Sequence, residues 1–235
     1  MTELEVFPDD WATALAVVAH PDDMEYGAAS AVARWTSEGK QVAYLLVTRG
    51  EAGIDTMAPD EVIELRAVEQ RGSCDAVGVG TLEYLDHPDG LVVEGLELRH
   101  DLAVAIRRHR PDVVISINHR ESWGGPSWNH ADHRAVGRSL LDAARDAGNR
   151  WLVPDAGEPW SGVQFVAFSG SPESTHAVDV GHHIDAGIAS LACHELYLDA
   201  LDEPTDPDSF LRGSARSVGE RFGCEYATAF EIITP

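Results

Sequence analysis

The chain has 235 residues, 44% of them apolar, which is enough for one α/β domain with a full core. Its 17 basic and 40 acidic side chains leave a formal net charge of −23, and Lys40 is the single lysine. That balance argues against nucleic acid and against anionic membrane surfaces as partners, and no apolar run reaches the roughly 18 residues of a membrane span. The opening Met-Thr-Glu-Leu-Glu-Val-Phe-Pro lacks a basic region and an apolar signal core. Cys74, Cys193 and Cys224 are odd in number and lack metal-type spacing, so reduced thiols and a cytoplasmic location are expected.

Strand and helix patterns alternate along the chain. Residues 13–20 read as a strand around the apolar run Leu15-Ala16-Val17-Val18. Residues 27–38 read as a helix with Ala28, Ala31, Val32 and Trp35 on one face, stopped at Gly39. Residues 41–48 form a near-continuous apolar run that suits a strand covered on both faces. A loop over 49–58 leads to Pro59, placed to start a helix reaching Val77. A short strand at 81–86, a helix at 96–109 ending before Pro111, and a strand at 113–117 follow. This order predicts a Rossmann-like, doubly wound, mainly parallel sheet in a single domain over 1–235. No Gly-x-Gly-x-x-Gly follows the first strand, so the nucleotide-binding version lacks its fingerprint. Residues 119–129 read as a loop and 131–147 as a helix, followed by a Pro- and Gly-rich surface connection at 151–162. Strands at 163–168 and 176–180, a helix over 184–201, a helix near 214–222 and a strand at 227–233 complete the expectation.

Two stretches carry chemistry. His20-Pro21-Asp22-Asp23-Met24-Glu25 lies where the first strand gives way to helix, at the sheet edge where open α/β folds bind ligands. Pro21 restricts the turn, and neighbouring side chains there point different ways. Asp22 and Asp23 can therefore divide two tasks, one on a metal and one facing its water, although Pro-Asp-Asp alone is also an ordinary turn. Asn129-His130-Ala131-Asp132-His133 starts a helix after another apolar strand. His130 and His133 share a face, Asn129 is placed to cap, and Asp132 can orient a histidine. A strand-end His and Asp with a helix-start His supply three ligands that zinc accepts, leaving a fourth position for water.

Together these motifs resemble the PIG-L/LmbE family of zinc-dependent N-acetylglucosaminyl deacetylases, which includes those of glycosylphosphatidylinositol, mycothiol and bacillithiol synthesis. Thr48-Arg49-Gly50-Glu51 after the second strand, and Arg66 and Glu69 in the next helix, extend the resemblance over most of the chain. It implies a hydrolase that removes an N-acyl group, usually acetyl, from an amino-sugar-type substrate. His20, Asp23 and His133 would hold Zn2+, with Fe2+ also fitting; Asp22 would be the general base. His130 would face the oxyanion as an imidazolium, with Asp132 hydrogen-bonded to it and raising its pKa. Arg66 is a candidate for holding a substrate hydroxyl or carboxylate, or else a partner of Glu69 or Glu51; Arg49 lies near it in the pattern. Trp123 and Trp128 could stack on a sugar or anchor their loop. His194 stands where family members often carry a histidine, whereas His87, His100, His109 and His119 read as structural and His182 and His183 as a helix start. The partner is a small N-acylated sugar or related amide, with homo-oligomerisation left open. A zinc-dependent hydratase of a dicarboxylic keto acid, a deacylase of a secondary metabolite and a non-catalytic metal module are the alternatives.

Overall fold

A single eight-stranded sheet organises the computed structural model, which describes residues 3–201, 203 and 205–235. Its strands are β1 (Glu5–Val6), β2 (Thr13–Val18), β3 (Gln41–Leu46), β4 (Thr81–Tyr84), β5 (Val113–Ile117), β6 (Phe165–Ser169), β7 (His176–Asp179) and β8 (Ala227–Ile233). They lie in the order β1-β7-β8-β6-β5-β2-β3-β4, and β8 alone runs against its neighbours. The helices are α1 (Asp23–Gly27), α2 (Ala29–Ser37), α3 (Pro59–Ala76), α4 (Leu96–His109), α5 (Ala131–Asp146), α6 (Ile184–Ala192), α7 (Glu195–Asp199) and α8 (Pro207–Phe222). Among the described residues no helix is long and apolar enough to cross a membrane.

The strand pleat sends alternate side chains to two cores. Ala14, Ala16 and Val18 of β2 join the layer containing Trp35, Leu191 and Leu211, whereas Leu15 and Val17 join Leu102, Ile106 and Leu140. Burial on both faces explains why the central strands read as continuous apolar runs. From β2 the chain winds outward through β3 and β4, then returns to β5 on the other side of β2. The loops after β2 and β5 therefore diverge, opening the crevice where such folds bind ligands.

Four expectations need correction. The strand Glu5–Val6 was not expected, because two exposed residues on a sheet edge leave no periodic signal. The helix expected at 27–38 starts earlier, at Asp23, and breaks at Ala28, whose φ and ψ are −139° and 2°. The helix expected over 184–201 breaks at Cys193-His194, so α7 is separate. The last helix begins at Pro207 rather than near 214; Asp206 caps it by accepting from the Ser209 amide at 3.0 Å.

Candidate active site

Helix α3 moulds the turn after β2. Asp22 sits in the left-handed region, at φ 88° and ψ −23°, a strained backbone for a residue with a Cβ. Arg66 Nη2 donates to Pro21 O at 2.7 Å and to Asp22 Oδ2 at 2.9 Å. The Asp22 amide donates to Gln70 Oε1 at 3.2 Å, and Gln70 Nε2 donates to Glu25 Oε1 at 3.0 Å. Arg66, Gln70 and Ser73 recur at helical spacing and so present one face to the turn. Glu25 is buried; burial pushes its carboxyl up to about 7, against the pull of Ser73 and Gln70.

The turn delivers His20 and Asp23 to His133 at the start of α5. His20 Nδ1 lies 3.2 Å from His133 Nε2. Asp23 Oδ1 is 3.0 Å from His133 Nε2, and Asp23 Oδ2 is 3.6 Å from His20 Nδ1. Donors about 2.0–2.2 Å from a tetrahedral ion stand about 3.3–3.6 Å apart, so this triangle is close to the size a metal needs. The far ring nitrogens suit the same task. His133 Nδ1 lies 3.0 Å from Asn129 Oδ1, and Asn129 is held by its own donations to Asn118 O and Arg120 O. His20 Nε2 lies 3.1 Å from Asp89 Oδ1 and 3.2 Å from Asp132 Oδ2. Protons on the far nitrogens leave the near lone pairs free for an ion.

Ligand-type atoms also gather as His20, His130 and His133, and as His20, Asp89 and Asp132. The second group is one N–H between two acceptors, and Asp132 is already occupied by the Gly90 and Val92 amides at 2.8 and 3.2 Å.

The two adjacent aspartates are driven apart electrostatically. Burial raises Asp22 to about 6, although Arg66 pulls it down. Burial would raise Asp23 too, but His133 and His20 beside it hold it far below the carboxylate range. Burial opposes charge on His20, yet Asp23, Asp132 and Asp89 raise its pKa well above the usual value. Such divergence separates an anion that stays charged from a carboxyl able to exchange protons near neutrality.

His130 departs from expectation. The Asp132 carboxylate faces His20, Gly90 and Val92, not His130. Only the Asp132 amide reaches His130, donating to Nδ1 at 3.2 Å. Desolvation and the charge of His20 and His133 outweigh the Asp132 field, so the His130 pKa is lowered rather than raised.

The other candidates divide sharply. Arg66 is buried and holds the turn, so Asp22, rather than a substrate or Glu69 or Glu51, is its partner. Arg49 pairs with Asp86 at 3.2 Å and covers Tyr84, outside the cavity wall. Trp123 is in that wall, its ring 5.9 Å from His133. Trp128 is exposed and faces Arg134 instead. His194 is fully buried behind the wall, 3.7 Å from Glu25 Oε2, and burial with Arg66 lowers its pKa to about 3. Asp89 and Gln70 were missed. Asp89 had a signal, since His87-Pro88-Asp89 repeats the wording of His20-Pro21-Asp22 after another strand; Gln70 had none.

Gln70→Leu should leave the metal content unchanged while lowering kcat about ten- to a hundredfold, because the strained turn loses its amide partner and small misplacements are costly. Metal analysis beside steady-state kinetics checks this; an unchanged kcat would show that Arg66 alone holds Asp22.

The PIG-L family, described as GlcNAc-PI de-N-acetylase, matches residues 15–144. A diacetylchitobiose deacetylase of Thermococcus kodakarensis is 27% identical over 232 residues, 96% of this chain and 84% of that protein. A 1D-myo-inositol 2-acetamido-2-deoxy-alpha-D-glucopyranoside deacetylase of Rhodococcus erythropolis is 30% identical over 178 residues, covering 64% of this chain; the chain spans only 58% of that relative's length. The solved N,N'-diacetylchitobiose deacetylase of Pyrococcus horikoshii shares the fold, with a TM-score of 0.85 at 22% identity over 96% of this chain and 85% of that one.

Proposed function

Because the chain belongs to the PIG-L family, whose match runs from β2 into α5, we propose that it is a metal-dependent hydrolase that removes an N-acyl group, acetyl in the simplest case, from an amino sugar. The observation that carries this reading is the pair Asp22 and Asp23, adjacent in sequence and opposite in proton affinity, beside His20 and His133. The hydratase alternative calls for arginines aimed at carboxylates. Of the two arginines in the cavity wall, Arg66 is bound to the turn and Arg221 lies on α8.

His20, Asp23 and His133 would hold the ion; zinc suits this donor set, and when bound it supplies a Lewis acid and water whose pKa falls toward ~7. Asp89, Asp132 and Asn129 keep the two imidazoles in the tautomer that can bind it. Arg66 fixes one oxygen of Asp22, and the carboxylate takes the proton of the attacking water and hands it to the leaving amine. His130 works as a neutral donor: its Nδ1 accepts the Asp132 amide, so the proton is on Nε2 and is offered to the carbonyl oxygen as charge develops. Trp123 closes one wall over His133.

Acetate release from N-acetylglucosamine and N,N'-diacetylchitobiose, with zinc or iron(II) restored to the metal-depleted protein, tests the reading. No amine release with either metal, from these sugars or from their longer N-acyl and alkyl derivatives, would overturn it. The pH profile adds a sharper check. Asp22 accepts a proton only when ionised, so kcat/KM should fall as pH drops through about 6. Burial and the neighbouring His20 and His133 lower the His130 pKa, so His130→Ala should lower the rate and leave the alkaline limb in place. Movement of that limb in His130→Ala would restore the imidazolium role.

A further inference from the structure

The cavity holding His20, Asp23 and His133 has a volume of about 660 Å³, in the range that encloses drug-sized ligands and more than one N-acetylated sugar ring fills. It continues away from these residues along α8, where Phe210, Leu211, Ser214, Ala215, Val218 and Arg221 line it. Those positions recur at three and four residues, so they form one helix face. At 1.5 Å per residue that face is about 16 Å long. Ile184, Ala227 and Ala229 also line the cavity and add apolar surface to it.

The chemistry of this arm differs from that of the metal end. Three of the hydroxyls in the cavity lining are already engaged inside the protein. Ser214 donates to Phe210 O at 3.0 Å, Ser171 to Glu231 Oε2 at 2.6 Å and Ser174 to Ser171 O at 2.7 Å. Tyr26 and Phe210 meet edge to face, with centroids 5.3 Å apart. A second sugar ring would lose water there and find those three hydroxyls already engaged. An apolar chain would bury its surface against Leu211, Ala215 and Val218, short of the Arg221 end of the helix face.

We propose that the arm along α8 is a subsite for an unbranched apolar chain, making the substrate class an amino-sugar amide that bears such a chain. The placement of the amide rests on the deacylase reading above. The chain has two sources, the acyl group itself or the aglycone, and both present the same methylenes to the arm.

Calorimetry on zinc-loaded Asp22→Asn protein separates this from catalysis. N-hexanoylglucosamine and hexyl N-acetylglucosaminide are each compared with N-acetylglucosamine. Whichever carries its chain at the correct end should bind about fourfold more tightly per added methylene, a hundredfold or more in all. Ala215→Phe, which fills the arm, and Val218→Asn, which makes it polar without crowding it, should each remove most of that gain; wild-type thermal stability carrying the same changes checks the fold. Equal binding with and without a chain in both compounds overturns the proposal, as does a gain that both variants preserve. Amine release by the wild-type enzyme is scored separately: its absence from all three compounds sinks the deacylase reading, while the binding comparison still decides the arm.

Discussion

His20→Ala and His133→Ala are each expected to lose most of the bound metal and, with it, activity down to background. Each change removes one of three donors that stand 3.0–3.6 Å apart, and two remaining donors seldom hold a catalytic ion. The loss should exceed the ~10- to 100-fold weakening typical when only an outer partner of a ligand is removed. That smaller effect is expected for Asp132→Asn and Asp89→Asn, whose carboxylates orient His20 from its far nitrogen. Elemental analysis after gel filtration, with circular dichroism to confirm the fold, reads both grades of effect. Arg49→Ala, at the surface pair with Asp86, is the control expected to keep full occupancy. Full occupancy in both histidine variants would remove this site from consideration.

Asp22→Asn should retain the metal and lose ~10²–10⁴ in kcat, the usual cost of removing a general base. The substitution is conservative in three respects. Asparagine tolerates the left-handed backbone at φ 88°, its carbonyl can still accept from Arg66, and its amide still reaches Gln70. What disappears is the carboxyl that burial raises to about 6. Asp23→Ala, by contrast, should lose metal and activity together. Acetate release within a few-fold of wild type in Asp22→Asn, at unchanged metal content, would give the base to another group.

The same residues show how far local pattern reaches. Periodicity located seven of the eight strands and placed His20-Pro21-Asp22-Asp23 and His130-Ala131-Asp132-His133 after strand ends, where the structure brings them together. These are properties of short windows: a buried strand is apolar, a helix repeats at 3.6, and ligands collect where strands end. Histidine and aspartate, two of the few side chains that zinc accepts, likewise stand in both motifs.

Which carboxylate faces which histidine was not written there. His20 and Asp132 are 112 residues apart, Asp22 and Arg66 are 44 apart, and Gly90 and Asp132 are 42 apart. Each pairing depends on how the chain returns to the crevice between β2 and β5, and a hydrogen bond is decided by tenths of an ångström. For that reason Arg66, expected at a substrate or else on Glu69 or Glu51, became the clamp on the Asp22 turn. Asp132, expected on His130, became the partner of His20, and burial with the nearby His20 and His133 lowers the His130 pKa instead. His194 shows the same limit in burial: its helix breaks at that residue and turns the ring into the core. The sequence alone determined the family of chemistry and the sheet edge that hosts it. Only the tertiary structure decided the proton affinities and the apolar reach of the cavity, because both arise from groups that meet across long stretches of chain.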